Sequence, residues 1–379
     1  MKRCTRCGLP ETYETIEYDA AGICNICRNF EKRTDVDWTA KQSELSQLIE
    51  QYRGRYAYDC IVPFSGGKDS TWTLWYLVTH FKLKPLVVQF DHGFFRPVLL
   101  KNNERTFKKL GVDVLRFTPN WQLIKRVMLE ALVRKGDFCW HCHTGVFAYP
   151  MWVALQQQVP LIFWGERSTE YTAYFDPKET EEVDEKRFDR FVNLGITAED
   201  MAGMIRHDFE FDFRDLKPFT YPPSSELRRL GVRSVCLGSY IPWDTKRQAQ
   251  IIHDELGWQG DEVENMPVRY WYEKIECSMQ GVRDYIKHLK RGYSRVTQMT
   301  ALDLRNGRIE KPHAEELIKA YEGKRPPSLD LFLEYVGLTE QEFNEIVERS
   351  VVPPHEPAFN APHGPKTHDF DEWYREVEA

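Results

Sequence analysis

Apolar residues along this chain fall into two alternating patterns. Short continuous runs at Asp59–Phe64, Pro85–Asp91, Val112–Phe117 and Pro160–Glu166 have the β-branched and aromatic character of strands buried on both faces. Between them, apolar positions recur at helical spacing over Thr71–His80, Val98–Leu110, Trp121–Arg134 and Pro150–Gln158. A further buried run, starting at Ser234, ends in a glycine turn at Gly238. Strands alternating with helices predict right-handed crossovers and an α/β fold built on a parallel sheet. Ligands of such sheets lie beyond the carboxyl ends of the strands. The segments after three of these strands, at Ser65, Asp91 and Gly165-Glu166, should therefore border one crevice.

The flanking regions change character. Trp38–Tyr52 reads as a helix with Leu45, Leu48, Ile49 and Tyr52 on one face. Residues 176–216 are charged and poor in strand pattern, and are expected as a helical insertion covering the crevice. Helices are expected at Arg283–Arg291, Ala314–Tyr321, Ser328–Val336 and Glu340–Val347. From Val351 the chain is rich in proline and histidine, an extended tail with a short helix near Phe370–Glu378. The expected organisation is a metal module at 1–33, a helical linker at 34–58, a nucleotide domain at 59–265, a helical domain at 266–350 and the tail at 351–379.

The first strand runs into Ser65-Gly66-Gly67-Lys68-Asp69-Ser70, which opens a helix. Two adjacent glycines leave no Cβ in the way, so backbone N–H groups can surround a phosphate. The helix adds its unpaired first-turn donors and the positive end of its dipole. A Gly-Gly pair that only makes a tight turn is the plainer alternative. The loop lacks the four-residue gap of the Walker motif, and its serine precedes the glycines. It resembles the PP-loop of ATP pyrophosphatases, which cleave ATP between its α- and β-phosphates.

Composition narrows the class. At 379 residues, with 42% hydrophobic and 29% charged residues, the chain can bury a large core and has the balance of a soluble protein. A net charge of −7 gives no general attraction to nucleic acid. The basic run Lys287–Arg295 fits either a local phosphate contact or a solvated helix face. No apolar stretch has the length of a membrane span, and Met1-Lys2-Arg3-Cys4 begins no signal peptide, so a cytoplasmic location is expected. The nine cysteines are then metal ligands or free thiols rather than disulfides.

Cys4, Cys7, Cys24 and Cys27 form two C-x2-C knuckles at the spacing of a four-thiolate Zn²⁺ site. Four filled positions imply a closed, structural site whose metal supplies the folding energy of a short segment. An iron–sulfur cluster is the alternative occupant. A second pair, Cys139 and Cys142 within Cys-Trp-His-Cys-His, is either half of another metal site, with Cys236 as its third ligand, or a pair of free thiols.

These features form a recognisable set together with the segments Tyr240–Asp244, Met279–Tyr285, Asp303–Arg308 and Gly323–Pro327. From residue 1 to about 350 the chain resembles the N-acetyl sugar amidotransferase family of surface-polysaccharide (O-antigen) and nonulosonic-acid biosynthesis. The resemblance implies ATP-dependent conversion of an acetamido group on a nucleotide-activated diacetamido sugar into acetamidino, through an imidate–AMP ester. It implies that Ser65, Gly66, Gly67 and Ser70 cradle the β- and γ-phosphates of ATP, with Lys68 adding charge and Asp69 contacting Mg²⁺. A helix-capping role is the alternative for Asp69. Asp91, Gly165 and Glu166 are expected on the adenine or ribose side. Arg283, Arg305 and Arg308 are expected either to grip the sugar's diphosphate or carboxylate or to form surface salt bridges. No segment is left for a glutaminase, so ammonia is expected from a partner glutaminase through a cyclase-like channel protein. A PP-loop tRNA thiolase using Cys139, Cys142 and Cys236, or a cluster on them, is the rival, and a zinc-stapled nucleotide-binding adaptor is a third possibility.

Overall fold

Strands form where the chain is apolar on both faces. In the computed structural model, which describes residues 1–165, 180–207 and 209–364, these are β1 (Cys60–Pro63), β2 (Pro85–Phe90), β3 (Asp113–Phe117), β4 (Leu161–Trp164) and β5 (Arg233–Cys236). They make one parallel sheet in the order β3-β2-β1-β4-β5. Every residue of β1, β2 and β4 is buried, whereas the edge strand β3 is partly exposed. The order reverses between β1 and β4, which opens a crevice at their carboxyl ends.

Helices Lys68–Phe81, Pro97–Leu110 and Trp121–Lys135 fall where helical spacing predicted them. The helix before β4 is longer than expected. It runs Trp140–Gln157 with Pro150 in its interior, because burial of Trp140, Met151, Val153 and Ala154 outweighs the hydrogen bond that proline forfeits. Helices Ser224–Leu230, Thr245–Leu256 and Arg295–Arg305 were not expected. The last of these buries Arg295, Thr297, Gln298, Thr300, Asp303 and Arg305 beside its apolar residues, so no amphipathic stripe marks it.

One apolar layer gathers Leu45 and Ile49, Trp72 and Leu77, Ile252 and Leu256, and Val296 and Met299. The expected units on either side of residue 265 thus share a core. Helix Ala198–Ile205 packs Met201, Ala202 and Ile205 into a second layer with Val127, Met128 and Ala131. Among the described residues of the 176–216 segment, none lines the crevice, so the expected cover is not provided by them.

The amino-terminal module sits on the carboxyl-terminal helices. Tyr13 packs on Tyr293 with ring centroids 5.0 Å apart, and Arg291 donates to the Thr12 carbonyl at 2.6 Å. Beyond Val351 the chain is extended and tied back by Val352 N–H to the Lys290 carbonyl at 2.8 Å and by Arg325 N–H to the Pro362 carbonyl at 3.0 Å. The expected helix near residue 370 lies outside the described residues. Among the described residues no helix is long and apolar enough to cross a membrane.

Candidate active site

β1 delivers Phe64 and Ser65 to the crevice, and Gly67 caps the helix that begins at Lys68. Gly66 adopts φ +88°, and a Cβ there would run into the Asn103 side chain, so only glycine fits. The Ser65 hydroxyl accepts from Gly67 N–H at 3.3 Å, and the Ser70 hydroxyl accepts from Gly66 N–H at 3.2 Å. Thr71 Oγ1 and Trp258 Nε1 both donate to the Gly66 carbonyl, at 3.2 and 3.1 Å, and so fix that peptide plane. Two backbone donors and two hydroxyls thus converge at a helix N-terminus, which is the composition of a phosphate cradle.

Lys68 and Asp69 follow in the first helical turn, and both are buried. Lys68 Nζ lies 2.7 Å from Asp69 Oδ2 and 2.5 Å from Glu273 Oε2. Trp243 Nε1 donates to Asp69 Oδ1 at 3.3 Å. Gly67 holds the cap position, so Asp69 does not cap this helix. Burial pushes the Glu273 carboxyl up, but Lys68, Lys274 and Arg295 outweigh it and hold the group at about 2. Gly165, at the end of β4, lets the chain approach this turn closely: a Cβ there would meet Thr73 Oγ1 at 3.2 Å and Asp69 Cβ at 3.3 Å.

These groups face a cavity of about 260 Å³. Its walls include Ser65, Gly67, Lys68, Asp69, Ser70 and Gly165, the stacked rings of Phe147 and Trp164, and Lys274, Glu276, Cys277 and Arg283. The two rings lie 4.7 Å apart with 14° between their planes. Glu276 faces the cradle, since a Cβ on Gly67 would sit 3.0 Å from its Oε1. Its other oxygen is buried without a hydrogen-bond partner among the described residues, and Lys274 Nζ lies 3.8 Å from Oε1.

The expected site residues divide. Ser65, Gly67, Lys68, Asp69, Ser70, Gly165 and Arg283 line the cavity, and Gly66 frames it. Asp91 instead closes its own turn, accepting from Gly93 N–H at 2.9 Å and from Thr118 Oγ1 at 3.2 Å, while its neighbour His92 lines the cavity. Glu166 lies outside the described residues. Arg305 is buried beside Cys7, Cys24 and Cys27, away from the loop. Arg308 pairs with Asp244 at 2.6 Å and with Asp303 at 3.7 Å. Neither Arg305 nor Arg308 belongs to the cavity wall.

Cys139 and Cys142 line the cavity as a pair, but the third thiol there is Cys277. Cys236 is packed instead with Ile61, Ile162 and Val153. Burial pushes Cys142 and Cys277 up to about 11 and about 12, and keeps His141 and His143 neutral by lowering them to about 4 and about 3. Sequence reasoning missed Glu273, Glu276 and Cys277. The available signal was a dense Glu-Lys-Ile-Glu-Cys segment without periodicity, just before the Met279–Tyr285 motif.

At the amino terminus, Cys4, Cys7, Cys24 and Cys27 are all buried, and their sulfurs lie within 4.8 Å of one another. Cys24 N–H donates to Cys4 Sγ at 3.3 Å and Cys27 N–H to Cys24 Sγ at 3.4 Å, the amide–sulfur bonds of a metal knuckle. Four convergent sulfurs beside the Arg305 cation form a metal-binding set.

Sheet order, loop and crevice define an α/β protein of the PP-loop class. Residues 264–373 match the family model described as LPS biosynthesis protein WbpG-like, C-terminal domain. That match is confined to the carboxyl-terminal part of the chain and supports a likeness to the N-acetyl sugar amidotransferase family. A stretch of 144 residues is 31% identical to an uncharacterized protein of Methanocaldococcus jannaschii, covering 36% of this chain and 48% of that protein. The chain thus matches about half the length of that relative. Among solved structures, U34-tRNA thiolase NcsA from Methanococcus maripaludis with its 4Fe-4S cluster aligns over 85% of this chain and 87% of its own. The identity is 13% and the TM-score 0.34, too shallow a likeness to carry an argument.

Proposed function

We propose that the chain is an ATP-dependent, AMP- and pyrophosphate-forming amidotransferase that converts the acetamido group of a nucleotide-activated sugar into acetamidino for O-antigen synthesis. One observation carries this reading. The segment that matches a lipopolysaccharide-biosynthesis domain supplies Lys274, Glu276, Cys277 and Arg283 to the same cavity as the Ser65–Ser70 cradle. The loop residues and residues of the matched segment therefore share one space, which supports this reading.

An amide carbon is a poor electrophile, and its oxygen is a poor leaving group. Attack of that oxygen on the α-phosphorus of ATP forms a C–O–P link and expels pyrophosphate into the cradle of Ser65, Gly66, Gly67 and Ser70. Ammonia then adds to the imidate carbon, a proton is lost, and the C–O bond breaks to release AMP with the former amide oxygen. Lys68 balances phosphate charge, and Arg283 fits a substrate anion. The unpartnered oxygen of Glu276, together with Asp69, gives hard donors at the loop that fit Mg²⁺, which neutralises phosphate charge when bound. The Cys4, Cys7, Cys24 and Cys27 set fits structural Zn²⁺. Ammonia would come from a partner glutaminase and cyclase-like channel protein in the cytoplasm.

The test follows the oxygen. With the acetamido carbonyl labelled with heavy oxygen, the label must appear in AMP; label retained in the sugar, or none in AMP, contradicts the reading. A second reading, sulfur transfer by a tRNA thiolase, is favoured by the three thiols in the cavity and opposed by the net charge of −7.

A further inference from the structure

A second cavity, of about 210 Å³, shares a wall with the active-site cavity: His143 and Arg283 line both. Its positive charge comes from one helix, Gln280–Arg291. Arg283, Lys287, Lys290 and Arg291 recur there at helical spacing and line the cavity together with Glu14 and Asp137. Three of these cations belong to the basic run Lys287–Arg295, so that part of the run is a cavity wall rather than a solvated face.

The fold does not cancel this charge. Arg291 is engaged by Glu14 at 3.3 Å and donates to the Thr12 carbonyl. Lys290 donates to the carbonyls of Lys135 and Gly136 at 2.8 and 3.1 Å, which hold its ammonium without neutralising it. Lys287 Nζ has the Gln298 amide oxygen at 3.5 Å, and burial lowers this ammonium to about 8. Arg283 makes no side-chain hydrogen bond or ion pair among the described residues. Burial pushes the Asp137 carboxyl up, but Arg283 foremost and His143 outweigh it, so Asp137 is charged and offsets one cation. Four cations against two carboxylates leave the excess that a doubly charged phosphate group would balance.

Size points to the same use. ATP and an activated sugar must be held together, yet the first cavity measures only about 260 Å³. That falls below the range usual for one drug-sized ligand, about 300–1,000 Å³. The second cavity adds room beside it and contains no residue of the Ser65–Ser70 loop, and Phe138 and Ile286 give it an apolar side for a ring.

We propose that the second cavity binds the phosphate groups of the nucleotide that activates the sugar. Lys287 and Arg283 contact those phosphates, and the sugar reaches past Arg283 and His143 toward the cradle. The identity of this ligand rests on the amidotransferase reading.

Calorimetry on the full chain saturated with α,β-methylene ATP, which fills the loop without reacting, tests it with UDP and CMP as probes. One of the two should bind without displacing the ATP analogue. Lys287→Gln and Arg283→Gln should each weaken that binding at least about tenfold. Lys319→Gln, exposed on helix Lys311–Tyr321, should leave it unchanged. Unaltered affinity of Lys287→Gln for the ATP analogue reports that the fold persists. No binding of either nucleotide, displacement of the analogue, wild-type affinity in Lys287→Gln, or inorganic phosphate or tRNA bound as tightly as the nucleotide would each overturn the proposal. The heavy-oxygen label reads the reaction separately: label in AMP without nucleotide binding here would refute the subsite alone.

Discussion

Lys68 Nζ lies 2.5 Å from a carboxylate oxygen of Glu273, so the lysine of the phosphate loop is held by the carboxyl-terminal third of the chain. Glu273 is fully buried and also faces Arg295 at 3.7 Å. The cation set that holds Glu273 low therefore joins the loop to helix Arg295–Arg305.

Replacing Glu273 by Ala removes the buried carboxylate that Lys68 and Arg295 share. Lys68 keeps Asp69 at 2.7 Å and Arg295 keeps Asp284 at 3.5 Å, and the fold should be destabilised by about 3 kcal/mol in urea unfolding. Glu273→Gln, which keeps the volume, should cost less. The carboxyl is held below its ordinary 4.5, at about 2. Its stabilisation is therefore complete above pH 4.5 and drains away as pH falls toward 2, and the gap between wild type and Glu273→Gln should close over that window.

Glu264 behaves in the opposite sense. It is buried against Ser328, whose N–H donates to it at 2.8 Å, and burial raises its carboxyl from 4.5 to about 7. A raised acid is stabilising while protonated, so its contribution is whole below pH 4.5 and is lost as pH rises through 7. Glu264→Gln should gain on the wild type across that range, by up to about 3 kcal/mol above pH 7. Paired denaturation curves at pH 5 and pH 8 (roughly the ends of the window) would show it, and a constant difference would refute it.

Gly66→Ala places a Cβ against Asn103 at φ +88°. Strain of about 1–3 kcal/mol should fall on the cradle itself. ATP binding, measured by calorimetry, should weaken at least about tenfold, while Gly231→Ala, also at positive φ but with open space around it, leaves binding unchanged.

Much of this architecture was legible in the sequence, and the rest fails for identifiable reasons. β1, β2 and β4 are continuous apolar runs because helices cover both faces, and the loop follows β1 directly. Cys236 was a poor choice for the cavity because it ends β5 within the packing around Ile61 and Ile162. Cys277, Glu276 and Glu273 were missed because they stand on a non-periodic segment placed by long-range contacts. Arg305 resembled a substrate clamp until helix Arg295–Arg305 turned it toward the cysteine set.

Metal removal should act at a distance. The cysteine module is fastened to Tyr293, Arg291 and Gln298 through Tyr13 and Thr12. Chelation should accelerate amide exchange over residues 4–27 at least about a hundredfold and extend partial loosening to helix Arg295–Arg305. Exchange confined to the module would show that the two are uncoupled.

The central claim is tested most directly by incubating the protein with ATP, Mg²⁺, ammonium and a panel of nucleotide-linked diacetamido sugars, with sugar mass and AMP followed together. Replacement of one oxygen by NH, matched mole for mole by AMP and absent in Lys68→Ala, is the predicted result. Replacement of oxygen by sulfur when sulfide is supplied, or no AMP with any sugar of the panel, would contradict it.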